Sequence, residues 1–237
     1  MLEKTRGIVL KSVNYKDNSC IVHIYTELHG AQSYIINGVR NQKGAIRPSH
    51  IMPLNLVDLV VYHKENQDIH RIKELKCDPI LRNVHFDMTR NSIALFITEI
   101  LDACVKESES NPGLFSFLHH FIQILDLEDG ALGNYPIAFL LQLSKYLGFY
   151  PDNNFEEGFS LQFLNGCFAP VERAEGRTMT KRDSRLCYEF MVNRDWHMIH
   201  LSKEDRSSLL NEMIEFYGFH ALNGRQIKSH LILREVL

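Results

Sequence analysis

The first third of the chain alternates between apolar and polar positions with a period of two. Three runs rich in β-branched and aromatic residues lie between Arg6 and Arg47, parted by turn-forming residues at Asn14–Ser19 and Leu28–Gly30. Such runs half-bury themselves in a sheet, and three in close succession predict an antiparallel meander. Leu54–His63 and Ile69–Lys76 predict a fourth and a fifth strand across a short polar turn. Five short strands fit a small closed barrel, which removes the exposed sheet edges. The five-stranded oligonucleotide-binding (OB) fold satisfies this count, and so does an SH3-like barrel.

From Cys77 the period lengthens to about three and a half. Asp87 or Thr89 caps a first predicted helix, with Ile93, Phe96, Ile97, Ile100, Leu101 and Cys104 on one stripe. A second helix, from Leu114 to Leu127, is apolar around much of its circumference and reads as the centre of a helical domain. A third runs from Tyr135 to Leu147, with Pro136 in its first turn and Gly148 at its end. Alternation returns briefly around Asn165-Gly166 as a hairpin inserted at residues 153–179. Helices are predicted again over Thr180–Val192, Ser202–Tyr217 and Gly224–Val236. The fold class is therefore α+β: a barrel over residues 1–78, then an all-α part over 79–237 with a small inserted hairpin.

Charge sharpens this division. The net charge of −3 splits into an excess of bases before residue 79 and an excess of acids after it. No Asp or Glu occurs from Leu28 to Val57, and this window holds Arg40, Lys43 and Arg47 in a loop punctuated by Gly and Pro. Guanidinium and ammonium groups there suit phosphate oxygens as well as they suit solvent. Tyr34 and Tyr25 are candidate stacking platforms for bases, or else barrel core.

Other chemistry finds little support. The five cysteines have no close pairing, and neither a CxxC nor an HExxH arrangement accompanies His119, His120, His197 and His200, so no metal site is expected. No nucleophile elbow, phosphate loop or dinucleotide fingerprint occurs, and neither an enzyme nor a cofactor is expected. No apolar run approaches the ~20 residues needed to cross a bilayer, and MLEKTRG lacks the apolar core of a secretory signal. A cytoplasmic location is the expectation.

Short motifs in order strengthen the nucleic-acid reading. They are Gly7-Ile8-Val9-Leu10-Lys11-Ser12, Tyr15, Tyr25-Thr26-Glu27 with Gly30, Asn37-Gly38-Val39-Arg40, Met52-Pro53-Leu54 and Ile72-Lys73-Glu74. Further along come Ile97-Thr98-Glu99-Ile100-Leu101, Leu147-Gly148-Phe149-Tyr150-Pro151-Asp152 and Ile227-Lys228-Ser229. Together they resemble the RecO family of bacterial recombination mediators over nearly the whole chain. The resemblance implies an OB barrel that binds single- and double-stranded DNA, anneals complementary strands and helps load the recombinase where single-stranded-DNA-binding protein sits. It implies two protein partners, RecR and the acidic, Phe-containing tail of single-stranded-DNA-binding protein, and an association with the nucleoid. Many members hold zinc with four cysteines after the Pro-Asp turn; here Asn153-Asn154-Phe155-Glu156-Glu157-Gly158 and Cys167 stand there, as in a metal-free branch.

The expected DNA contacts are Arg6, Lys11, Lys16, Tyr34, Arg40, Lys43 and Arg47. Phe139, Leu143 and Tyr146, with Arg225 and Lys228, are the expected pocket for the tail. The rival readings are a protein-interaction adaptor whose barrel binds a partner and not DNA, and an enzyme without a recognisable motif.

Overall fold

The computed structural model describes residues 2–15, 18–39, 45–64 and 67–237. Lys16, Arg40 and Lys43 lie outside these described residues. Packing divides the chain into two compact units, residues 1–128 and 129–237.

In the first unit the predicted strands form: β1 (Leu2–Tyr15), β2 (Ser19–Thr26), β3 (Gly30–Asn37), β4 (Leu56–Tyr62) and β5 (Ile69–Cys77). They close in the order β1-β2-β3-β5-β4. All neighbours are antiparallel except β3 and β5, which run parallel through Ser33–Ile69, Tyr34–His70 and Ile35–Arg71. This parallel closure is that of the OB fold; the neighbouring strands of an SH3-like barrel are antiparallel.

Alternation decides which side chains fill the barrel. Val9, Val22, Ile24, Tyr34, Ile36, Val57, Leu59 and Val61 point inward and are buried. A β-bulge in β1 shifts its register between Val9 and Lys11, so that Ile8, Val9 and Leu10 are all buried. A short 3-10 turn at Pro48–Ile51, not signalled by periodicity, adds Ile51 to the barrel core.

Two helices complete this unit, α1 (Met88–Cys104) and α2 (Pro112–Leu127). Asp87 caps α1, accepting from the Arg90 N–H. The predicted stripe from Ile93 to Leu101 is buried, while Cys104 is half-buried. The predicted place of α2 at the centre of a helical domain is corrected: it belongs to the barrel's unit, with Phe115 6.3 Å from the Tyr25 ring and Leu127 68% exposed. Asp126, buried near its end, accepts from the backbone N–H groups of Arg82, Asn83 and Val84 at 2.7–2.9 Å, clipping the segment after β5 onto α2.

The second unit contains α3 (Tyr135–Leu147), the small β6 (Ser160–Leu161) and β7 (Phe168–Ala169) pair, α4 (Lys181–Val192), α5 (Lys203–His220) and α6 (Ser229–Val236). Gly148 ends α3 in the left-handed region, and Ser202 caps α5 by accepting from the Asp205 N–H. The last helix starts at Ser229, not at Gly224, because Asn223 and Gly224 both take positive φ and form a turn instead.

The β2–β3 turn leaves no room for a side chain at Gly30. Gly30 has φ +59, and a Cβ there meets the carbonyl oxygens of Glu107 and Glu109 at 2.4 Å. Gly30→Ala is expected to lower stability by about 2–4 kcal/mol, combining left-handed strain with backbone overlap. Gly176→Ala, at φ +86 in open space, is expected to cost only about 1 kcal/mol. Urea unfolding of the two variants checks the difference.

Candidate nucleic-acid interface

Opposed residues in a sheet share a face, so the pairing identifies what the barrel turns outward. One outer row is Lys11, His23, Ser33 and Ile69; the next is Val13, Ile21, Ile35 and Arg71; the last is Tyr15, Ser19 and Asn37. The same face continues to Tyr25 and Ala31, but there Phe115 and the Glu107 backbone cover it. The uncovered part exposes Val13, Tyr15 and Ile69 at 42–44%. Ile21, His23 and Ile35 are half-buried beside them. It is an open apolar strip with one aromatic ring, and none of its residues is acidic.

The cations of the barrel stand in two different conditions. Arg71 on β5, and Arg47 at the start of the 3-10 turn, are exposed, and no ion pair ties either to a carboxylate among the described residues. Lys11 is 3.9 Å from Asp102 and half-exposed, a loose contact in water. Lys73 bulges out between Ile72 and Glu74 and lies 3.5 Å from the Glu74 carboxylate.

Two expected contacts, and the second candidate stacking platform, stand elsewhere. Arg6 makes a two-pronged bond to Glu27, Nε at 2.9 Å and Nη2 at 2.6 Å, with its guanidinium 5.2 Å from the centre of the Phe115 ring. Its charge is already answered: the Glu27 hydrogen bond holds the Arg6 pKa above its ordinary value and holds the Glu27 carboxyl below its own. Tyr34 is wholly buried in the barrel, where no base reaches it, and burial pushes its phenol pKa up. Tyr25 is buried under α2 and its pKa is raised to about 12 by desolvation. Strand parity turns Tyr34 inward, whereas Tyr25 points outward and is covered by Phe115; on the uncovered part of this face the exposed tyrosine is Tyr15, at the end of β1.

The expected pocket in the second unit also needs correction. Phe139 and Leu143 are fully buried in the helix packing and line no opening. Tyr146 is 40% exposed on α3, and Arg225 and Lys228 are exposed ahead of α6. An open pocket of about 500 Å³ lies instead among the start of α3, α5 and α6, where Pro136, Ile137, Leu210 and Leu233 give an apolar floor and Lys203, Arg206 and Arg234 give cations. Arg206 packs so closely on Gly133 that a Cβ there falls 2.6 Å from its Nε. Its Nη groups donate to the Leu237 and Leu201 carbonyls, Nε has no hydrogen-bond partner, and desolvation lowers its pKa.

Among the described residues no group of His, Cys, Asp and Glu is placed to hold a metal ion, and no helix is long and apolar enough to cross a membrane.

The fold and this face place the chain among the OB-fold proteins. Comparison with known proteins narrows the class: the family models "Recombination protein O N terminal" and "Recombination protein O C terminal" match residues 1–78 and 85–229. A "DNA repair protein RecO" of Phocaeicola vulgatus is 32% identical over 244 residues, covering 100% of this chain and 99% of that protein. Proteins of the same name from Azobacteroides pseudotrichonymphae and Bacteroides fragilis are each 31% identical, covering 100% of this chain and 99% of theirs. The chain belongs to the RecO family.

The Arg6–Glu27 pair is expected to be structural. Because the Glu27 pKa is lowered in the folded state, its contribution is present above the ordinary carboxylate range and is lost as pH falls through it. A double-mutant cycle of Arg6→Ala and Glu27→Gln is expected to give a coupling of about 0.5–1 kcal/mol at pH 7, shrinking as pH falls below the ordinary carboxylate range.

Proposed function

We propose that this chain is a recombination mediator that works by binding and without turnover, in the cytoplasm and on the nucleoid. The barrel holds single- and double-stranded DNA, complementary strands anneal on it, and the recombinase is helped onto DNA coated with single-stranded-DNA-binding protein. The observation that carries this reading is the open outer face around Val13, Ile21, Ile35 and Tyr15, with Arg71 in the same row. Bases stack on an aromatic ring and lie on apolar side chains, while the guanidinium groups take phosphate oxygens. Two such strands held side by side repel each other less, because the cations screen their backbones.

Arg40, Lys43 and Lys16 belong to the same proposed interface by sequence. In chain order Lys16 stands between β1 and β2, and Arg40 and Lys43 follow β3. Arg6 does not belong to it, since Glu27 occupies its guanidinium. Residues 79–237 carry the protein contacts, with RecR and with the acidic tail of single-stranded-DNA-binding protein. The pocket around Arg206 suits such a tail, because it offers an apolar floor for an aromatic side chain and cations for carboxylates.

Fluorescence anisotropy with a labelled oligothymidine, titrated with salt, tests the DNA reading. Each of Arg47→Ala and Arg71→Ala is expected to reduce the salt slope by about 1. Tyr15→Ala is expected to weaken binding by about 1–3 kcal/mol without changing the slope. Slopes unchanged in both arginine variants contradict the interface, and absence of DNA binding by the wild type makes the chain a protein adaptor.

Calorimetry with an acidic peptide ending in Phe tests the pocket. Lys203→Ala with Arg234→Ala is expected to weaken binding about tenfold, roughly 1.4 kcal/mol; equal affinities move the tail elsewhere.

A further inference from the structure

The outer row that carries Arg71 does not end with it. Across β4 and β5 the register places Tyr62 opposite Arg71, and across β1 and β4 it places Leu2 opposite Tyr62. On the other side Arg71 pairs with Ile35, Ile35 with Ile21 and Ile21 with Val13. These six side chains form one belt around the barrel, five of them uncharged and one a cation. Tyr62 and Leu2 are each 47% exposed.

A bulge in β5 makes the belt. Val60 faces Glu74 and Val61 faces Ile72, so Lys73 is the extra residue. In an uninterrupted ladder Tyr62 would oppose Ile72, and alternation carried down from Glu74 would turn Arg71 into the core. The bulge reverses that parity: Ile72 packs against the barrel core, His70 is buried and Arg71 is exposed. Beyond Tyr62 the surface changes character. The next rows across β1, β4 and β5 are Lys4, Val60 and Glu74, then Arg6, Asp58 and Lys76, and each holds both signs.

The chemistry of the belt fits an unpaired strand. A duplex keeps its base faces inside the stack and offers phosphates and groove edges, to which a belt with one cation gives little. An unpaired strand offers base faces, which lie on aromatic rings whatever their sequence. From Val13 to Tyr62 the belt crosses four strand-to-strand steps, about 19 Å of outer surface. Tyr15, two residues beyond Val13 on β1, stands near one end and Tyr62 stands near the other. We propose that Tyr62 is a second base platform and that Tyr15 and Tyr62 together select unpaired strands over duplex, an assignment that rests on the outer face taking DNA as read above. Duplex is then held through cations alone, and Tyr62 has no part in it.

Anisotropy with labelled oligothymidine and with a duplex of the same length separates the two forms. Tyr62→Ala is expected to weaken oligothymidine binding about tenfold and to leave duplex affinity unchanged. Tyr62→Phe keeps the ring and is expected to bind both like the wild type. Unchanged oligothymidine affinity in Tyr62→Ala, or an equal loss on both DNAs, overturns the assignment. If Tyr15→Ala weakens oligothymidine binding and Tyr62→Ala does not, the face still takes DNA and only the platform on β4 is lost. If the wild type binds neither DNA, the face is no DNA site and the platform falls with it. Should Tyr62→Ala not fold, Tyr62→Trp decides by fluorescence, after subtraction of the wild-type signal, which comes from Trp196 alone. Quenching by oligothymidine and not by duplex supports the platform; no quenching, or equal quenching by both, overturns it.

Discussion

The short parallel pairing of β3 with β5 is the constraint on which the first unit depends. Four of the five seams join antiparallel strands and are long; this one rests on Ser33–Ile69, Tyr34–His70 and Ile35–Arg71. Without it β2 and β3 form the edge of an open sheet, with unpaired N–H and C=O groups along β3. With it, Tyr34 and His70 turn into a closed core, while Ile35 and Arg71 turn outward on one continuous surface. The inner and outer faces of the barrel are thus set by the same three pairs.

The elements were largely legible in the sequence, because a period of two and a period near three and a half differ plainly over runs of this length. All five strands and the third helix appear where alternation, Pro136 and Gly148 put them. Less legible was anything that depends on which strand meets which. Parallel closure brings together residues more than thirty positions apart, so Arg71 carried no mark of its place beside Ile35. Tyr34 and Tyr15 look alike in sequence, and only their position in the barrel sends one to the core and leaves the other exposed at the end of β1. The last helix is shorter than its apolar spacing predicts, because Ile227 is buried ahead of it and the chain turns at Asn223 and Gly224 with positive φ.

Charge on this barrel falls into two groups that composition cannot separate. Arg6 is consumed by Glu27 and Phe115, fastening the β2 end to β1 and α2. Arg47 and Arg71 are exposed, and no ion pair ties either to a carboxylate among the described residues. The acid-free window from Leu28 to Val57 pointed to the right part of the chain, because it covers β3 and the loop after it. It could not point to β5, which sequence separates from that window and the fold places against it. The second unit shows the same contrast between type and placement: Phe139 and Leu143 are apolar enough for a binding floor but are spent on the helix core, and Pro136, Ile137 and Leu233 line the pocket.

The claim at the centre of this account is that the outer face of β1, β2, β3 and β5 is the surface that takes nucleic acid. Chemical-shift mapping of isotope-labelled protein with oligothymidine tests it most directly. The predicted result is a contiguous set of shifted amides at Val13, Tyr15, Ile21, Ile35 and Arg71, with the row Arg6, Asp58 and Lys76 across β1, β4 and β5 unmoved. Shifts confined to that row, or to residues 129–237, contradict it.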